Sequence, residues 1–327
     1  MKILTPCITG ALMTSLAAWG CGNTSADERA DPDEAADGPG DTPPEVVDDP
    51  GGSTLIAARL PAPGCPTRTS SSVASHIVIE VSWPSSLAIA AGSGEVHVWT
   101  KADLAYQGND YTGTARPCGS LIPPLTKAAL VGGGQVGIEI PGSAWDSPRM
   151  PVFQIRGSTG GFTPGSSIAM EPVTSLVGLT MANPMSDPWP GQASLLTPVD
   201  HDGDGRPGIK AIPRKDPPFG APPVDLAGVL DPKGARADEV DLAMRTILGL
   251  SGARDSCTSA EGRAQVTRLD SHVVGCHIEG AGACTQAQSD FIDASQPRFD
   301  IGSATFQMVE VPASATCADV RAVLPAH

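Results

Sequence analysis

The sequence predicts an all-β, antiparallel fold, and three observations carry that reading. The 327-residue chain holds 37 Gly and 32 Pro but only 4% aromatic residues. Such a load of turn formers suits short strands better than helices. Apolar residues recur with period two in several segments, the pattern of strands with one buried and one wet face. Clusters of Gly and Pro separate most of those segments.

Taken in order, Ile77, Ile79, Val81 and Trp83 share one face of a first strand. Val96 and Val98 do the same between Glu95, His97 and Trp99. Val136, Ile138 and Ile140 alternate with Gln135, Gly137 and Glu139, and Phe153, Ile155 and the run Leu176 to Leu179 follow. The triplet Gly132-Gly133-Gly134 reads as a turn, because the strand after it offers no helix N-terminus to a phosphate. Glu239 to Leu250 fits both periods. Its Thr and Ile and its neighbours favour a strand, although Asp238 and Gly249 could bound a helix. Val266 and Leu269, then His272 to Ile278, then Thr305 to Val311 read as further strands. One short helix is expected from Cys317 to Leu324, capped by Thr316 and stopped by Pro325. The architecture implied is a sandwich or a closed barrel of the lipocalin sort, with that C-terminal helix. A Pro- and Asp-rich segment, 187–231, divides the strands into halves, 54–186 and 232–327. It reads as a linker, an insertion in one sheet, or the joint of a duplication.

The N-terminus sets the compartment. Lys2, an apolar run from Ile8 to Ala18 and small Ala18 and Gly20 compose a signal peptide over residues 1–20. Leu16-Ala17-Ala18-Trp19-Gly20-Cys21 resembles the lipobox of bacterial lipoproteins, with Ala18 where Leu is usual. The resemblance implies a lipid on Cys21 and a membrane partner; plain secretion is the competing reading. Cysteine arithmetic favours lipidation. Of eight cysteines, Cys7 leaves with the signal, and lipidation of Cys21 leaves six that can pair: Cys65, Cys118, Cys257, Cys276, Cys284 and Cys317. Chain proximity suggests Cys65 with Cys118, Cys257 with Cys276 and Cys284 with Cys317. Residues 21–53 carry ten acidic side chains against Arg29 alone, so they read as a solvated, self-repelling tether before an ectodomain over 54–327. The net charge of −15 speaks against a nucleic-acid partner.

The sharpest local motif is Asp200-His201-Asp202-Gly203-Asp204-Gly205-Arg206-Pro207-Gly208. Carboxylates at positions 1, 3 and 5 with Gly at 6 begin a calcium loop, in which alternation brings three hard oxygen donors to one point. The motif resembles the loops of EF-hands, dockerins and thrombospondin-type repeats. It implies Ca²⁺ on Asp200, Asp202, Asp204 and the Arg206 carbonyl. Position 12, where an EF-hand has Glu, is Ala211, so a distant carboxylate such as Asp216 or Asp225 would have to complete the set. A metal-free polar turn is the alternative.

Other chemistry is sparse. His272 and His277, five apart around Cys276, are expected on opposite strand faces, and His76, His97 and His201 are expected in solvent. Trp83, Trp99, Trp145 and Trp189 read first as core residues and second as a ligand-binding face. The sequence holds no Gly-x-Ser-x-Gly, no His-Glu-x-x-His and no phosphate loop. In layout the chain resembles uncharacterised bacterial surface lipoproteins, with an acidic tether and a central Asp-x-Asp-Gly-Asp-Gly-x-Pro-Gly loop. The function expected is non-enzymatic binding of a small-molecule or protein partner at the cell envelope; the alternative is a hydrolase acting on envelope or extracellular polymer.

Overall fold

The computed structural model describes residues 64–86, 89–128, 134–214, 224–225 and 236–326. The signal peptide, Cys21, the acidic tether, Gly132, Gly133 and Asp216 lie outside them, as does the side chain of Asp225.

Eight long strands close into one antiparallel barrel. They are β1 (Ser70–Trp83), β2 (Gly92–Gln107), β3 (Asp110–Leu121), β4 (Phe153–Thr159), β5 (Ser167–Val177), β6 (Arg236–Arg254), β7 (Ser259–Ile278) and β8 (Asp300–Val311). Each pairs with the next in sequence, and β8 returns to β1, so the ring is an up-and-down meander. Closure removes the edges that an open sheet would expose. Of the sandwich and the barrel, the ladders make the barrel. Both halves of the sequence contribute strands to it, and 178–235 is an excursion between β5 and β6.

The two ends differ. One has tight connections, including the two-residue turn Gly108-Asn109, where Gly108 takes a φ of 64° that a side chain would resist. The other carries every long connection: 84–91, 122–152, 178–235 and 279–299. There two short strands, Ile138–Glu139 and Ile209–Pro213, fill the space between the ends of β3 and β6.

Inside the barrel, Val73, Ser75 and Ile77 of β1 alternate with outward Ala74 and His76, as the period predicts. The ambiguous segment Glu239 to Leu250 is strand throughout. The C-terminal helix forms at Cys317–Val323, and Thr316 and Asp319 cap each other's backbone N–H at its start. It lies outside the wall of β1, β2 and β3, and its Val320 is fully buried. A correction concerns that outer face: His76 and His97, expected in solvent, are 5% and 8% exposed. They hydrogen-bond each other (Nε2 to Nδ1, 3.0 Å) and stack beside Trp99.

Further corrections follow from packing and register. Besides a single turn at Gly142–Trp145, a second helix, Gln286–Ser295, packs on β7. Its capping box, Thr285 with Gln288, was readable in the sequence. A bulge at Val274 makes Leu242 face Val273 and Asp241 face Gly275, so His272 and His277 fall on the same face of β7 rather than on opposite faces. The six cysteines do pair, but as Cys65–Cys257, Cys118–Cys317 and Cys276–Cys284. Barrel closure sets Cys65, just before β1, beside the turn between β6 and β7, and the C-terminal helix lies on β3. Neighbourhood along the chain is therefore the wrong guide to pairing.

Candidate functional site

Three regions collect the chemistry: the barrel interior, a pocket beside β7 and the acidic loop. The interior is lined by alternate residues of all the strands. On β2 these are Val96, Val98, Thr100, Ala102 and Leu104; across from them stand Ile155, Met170, Val173, Met244, Leu248, Leu250 and Met308. The polar groups facing in are mainly hydroxyls, among them Ser75, Thr100, Ser175, Thr246 and Ser271. Packing leaves a narrow cavity of about 90 Å³ between these side chains. Of the tryptophans, Trp83, Trp99 and Trp145 are buried, as the core reading expected, and Trp145 also touches this space.

A second, wider pocket lies at the end with the long connections. Trp189 to Ser194, the helix Gln286–Ser295 and Leu269 to His272 of β7 enclose it, with Arg298 exposed at its rim. Several polar groups in and behind its wall are engaged with one another. Arg245, 1% exposed, binds Asp270 (2.7 Å) and the carbonyls of Pro184 and Asp187, and lies over the Trp189 ring. His272 engages the Asp293 carboxylate through Nδ1 (2.8 Å) and the Pro190 carbonyl through Nε2 (2.8 Å). Burial disfavours its charge, but those two partners outweigh burial and raise its pKa. Both ring nitrogens are thus held as donors, which leaves no lone pair to activate Ser271 or a water.

The acidic loop follows a short strand at Thr197–Pro198 and leads into Ile209–Pro213. Gly203 and Gly205 adopt φ of 82° and 89°, which lets the backbone fold over the carboxylates. One oxygen from each of Asp200, Asp202 and Asp204 comes within 4.8 Å of the others. Asp200 accepts from the Gly203 and Gly205 N–H groups (2.6 and 3.2 Å) and pairs with Arg149. Burial opposes its ionisation; those donors prevail and hold its pKa below the usual carboxylate range. Asp202 accepts from Lys210 N–H (2.7 Å) through one oxygen, while its Oδ1 is buried without a well-formed hydrogen bond. Its pKa is raised, first by burial and then by the charge of Asp204. The Arg206 side chain pairs with Glu239 and Asp241 of β6.

Those two acids were missed in the sequence. They stand some thirty-five residues after the motif, and only the ladder that pairs Lys210 with Asp241 brings them to the loop. Asp241 is 3% exposed, and burial, Asp204, Glu239 and Asp202 together push its carboxyl up to about 6 despite Arg206. His201, expected to be an exposed spacer, is buried and accepts the Gly178 N–H at Nδ1 (2.8 Å). Burial lowers its pKa, in keeping with a neutral acceptor. Among the described residues, the Asp200, Asp202, Asp204 trio is the group with metal-ligand spacing. Its donors suit a hard cation, and the buried Asp202 Oδ1 marks where charge is least compensated.

No protein-family model and no curated protein matches the sequence. Among solved structures, DynF from the dynemicin biosynthesis pathway of Micromonospora chersina matches at 11% identity, over 76% of this chain and 84% of that one. The TM-score is 0.26, a likeness too slight to carry an argument about fold or function.

Proposed function

We propose that the chain is an exported, lipid-anchored binding protein that carries an apolar small molecule inside its barrel. The observation behind this reading is the incompletely filled interior, walled by Val, Leu, Ile and Met. Closed eight-stranded barrels are wide enough to be filled by side chains or to hold one small ligand, and apolar concavities with few polar groups are the usual ligand sites. Export is supported at the coarser level by three disulfides, which persist in oxidising compartments. The anchor rests on Cys21 and the tether sequence. The same reading places Ca²⁺ on Asp200, Asp202, Asp204 and the Arg206 carbonyl, where it would stiffen the base of the 178–235 excursion.

Titration with the apolar dye Nile red tests the binding reading. One-to-one saturable fluorescence is expected, and Ser175→Trp, which fills the cavity with an indole, should abolish it while the protein still melts cooperatively. Absence of saturable binding by the parent protein would end the proposal. For the anchor, Cys21→Ser should move the protein from the membrane to the soluble fraction; unchanged fractionation and migration would refute lipidation.

A further inference from the structure

The interior space is long as well as thin. Val96 and Leu104 of β2 both face it, eight residues apart. At a strand rise of ~3.3 Å and a tilt of ~40°, that separation spans ~20 Å along the barrel axis. The three methionines on its wall, Met170, Met244 and Met308, are unbranched and adapt to a guest. A thin space of that length suits an extended hydrocarbon chain and excludes a rigid fused-ring system.

The barrel wall also has a short seam. β7 and β8 pair only from Ser259–Arg263 to Thr305–Val309, and β7 runs on to Ile278 without β8. Beyond that seam, Leu269, Asp270, Ser271 and Phe299 line both the interior and the wider outer pocket. The apolar interior and the polar pocket therefore adjoin at Phe299. The Ser271 hydroxyl and Gln296 amide meet there (3.3 Å), and Arg298 stands on the rim. The other cations of that pocket are neutralised, Arg245 by Asp270 and His272 by Asp293. Asp290, the remaining acid, accepts from Gln286 on its own helix.

From this geometry we infer that the ligand is a single-chain amphiphile: its acyl chain lies along the barrel axis and its anionic head group stays at the Phe299 junction, facing Arg298. The inference rests on the apolar-ligand reading and narrows it to one chemical class. A carboxylate and a phosphate head share that chemistry, so the test includes both.

The purified chain is loaded with dansyl-labelled undecanoic acid and challenged with laurate, palmitate, lysophosphatidic acid, hexadecanol and cholesterol. Palmitate should displace the probe at concentrations at least tenfold below those needed with laurate or cholesterol. Lysophosphatidic acid outcompeting palmitate would identify the head as phosphate; the reverse order would identify a carboxylate. Arg298→Glu should weaken the anionic ligands at least fivefold and leave hexadecanol unchanged, with melting temperature as the control for folding. Equal competition by cholesterol, or Nile red binding without any acyl-chain binding, would overturn the acyl inference and leave the apolar-ligand reading standing. An Arg298→Glu protein that binds palmitate like the parent would overturn the head-group assignment. Failure of Nile red and every chain alike would remove both readings.

Discussion

At the scale of single residues, the acidic loop is a conflict of charges that the ladder imposes. Asp241 is fixed in β6 opposite Lys210, so it cannot leave the vicinity of Asp202 and Asp204. Its folded pKa, about 6, lies above the 3.8 of an unperturbed aspartate. A group whose pKa rises on folding binds more protons in the native state, so its contribution to stability falls as pH rises. The window runs from about pH 4 to about pH 6, and the contribution lost is on the order of 3 kcal/mol at one pKa unit per ~1.4 kcal/mol. A cation at the loop would relieve the conflict. With millimolar calcium the Asp241 titration, followed by its carboxyl ¹³C shift, should move down by at least one unit. Calcium should also raise the melting temperature, by the equivalent of about 2.7 kcal/mol at a hundredfold excess over Kd. Asp202→Ala with Asp204→Ala should remove both effects, and magnesium should produce much smaller ones because it keeps its waters and demands octahedral geometry. If neither the titration nor the melting responds to calcium, the loop is a turn held by its own backbone N–H groups. The motif itself was legible because its ligands alternate within five residues. Glu239 and Asp241 were not, because their proximity exists only once β6 pairs with the strand after the loop.

At the scale of elements, periodicity located the strands well where one face meets the core. Ile77 to Trp83 and Val96 to Val98 lie in barrel strands, while Glu239 to Leu250, which fits both periods, is a strand as its Thr, Ile and neighbours indicated. It failed on part of the outer face: His76 and His97 are polar, yet they are buried, packed on each other and beside Trp99. A bulge cannot be read from period two either, since one extra residue at Val274 reverses the faces of everything beyond it. Disulfide connectivity was illegible for the same reason of long range. The bridges now allow a graded prediction. Cys118–Cys317 closes 199 residues and Cys276–Cys284 only 8. In the chain-entropy description these restrict the unfolded state by about 5 and about 2.5 kcal/mol respectively. Replacing Cys118 and Cys317 by Ala should therefore lower stability in urea about twice as much as replacing Cys276 and Cys284. Equal losses would mean that native packing near the bridges, rather than chain restriction, sets their worth. Peptide mapping of the unreduced protein checks the connectivity itself.

At the scale of the whole molecule, one property joins fold to function: the ring must close while leaving its middle unfilled. One narrow place in the ring is the seam where β6, β7 and β8 meet, where β7 and β8 share five paired residues before they part. Gly252 and Gly262 face each other across β6 and β7 at that seam. A Cβ on Gly262 would stand 2.4 Å from the Ser251 carbonyl oxygen and 2.9 Å from the Phe306 ring. Two glycines let the strands curve sharply and bring Phe306 against them, which is the use of glycine at a barrel corner. The obstruction is backbone, so no side-chain rotation relieves it. Gly262→Val should then cost more than about 2 kcal/mol, above the middle of the range for an overpacked core. It should also accelerate amide exchange in Ser259–Arg263 and Thr305–Val309 ahead of the rest of the barrel. Since an opened seam admits water to the interior, saturable Nile red binding should weaken in step with the lost protection. Gly64→Ala, where a Cβ meets nothing within 4 Å, should leave melting, exchange and binding unchanged. A Gly262→Val protein that melts and binds like the parent would show that the seam tolerates a side chain, and closure of the ring would then need another cause.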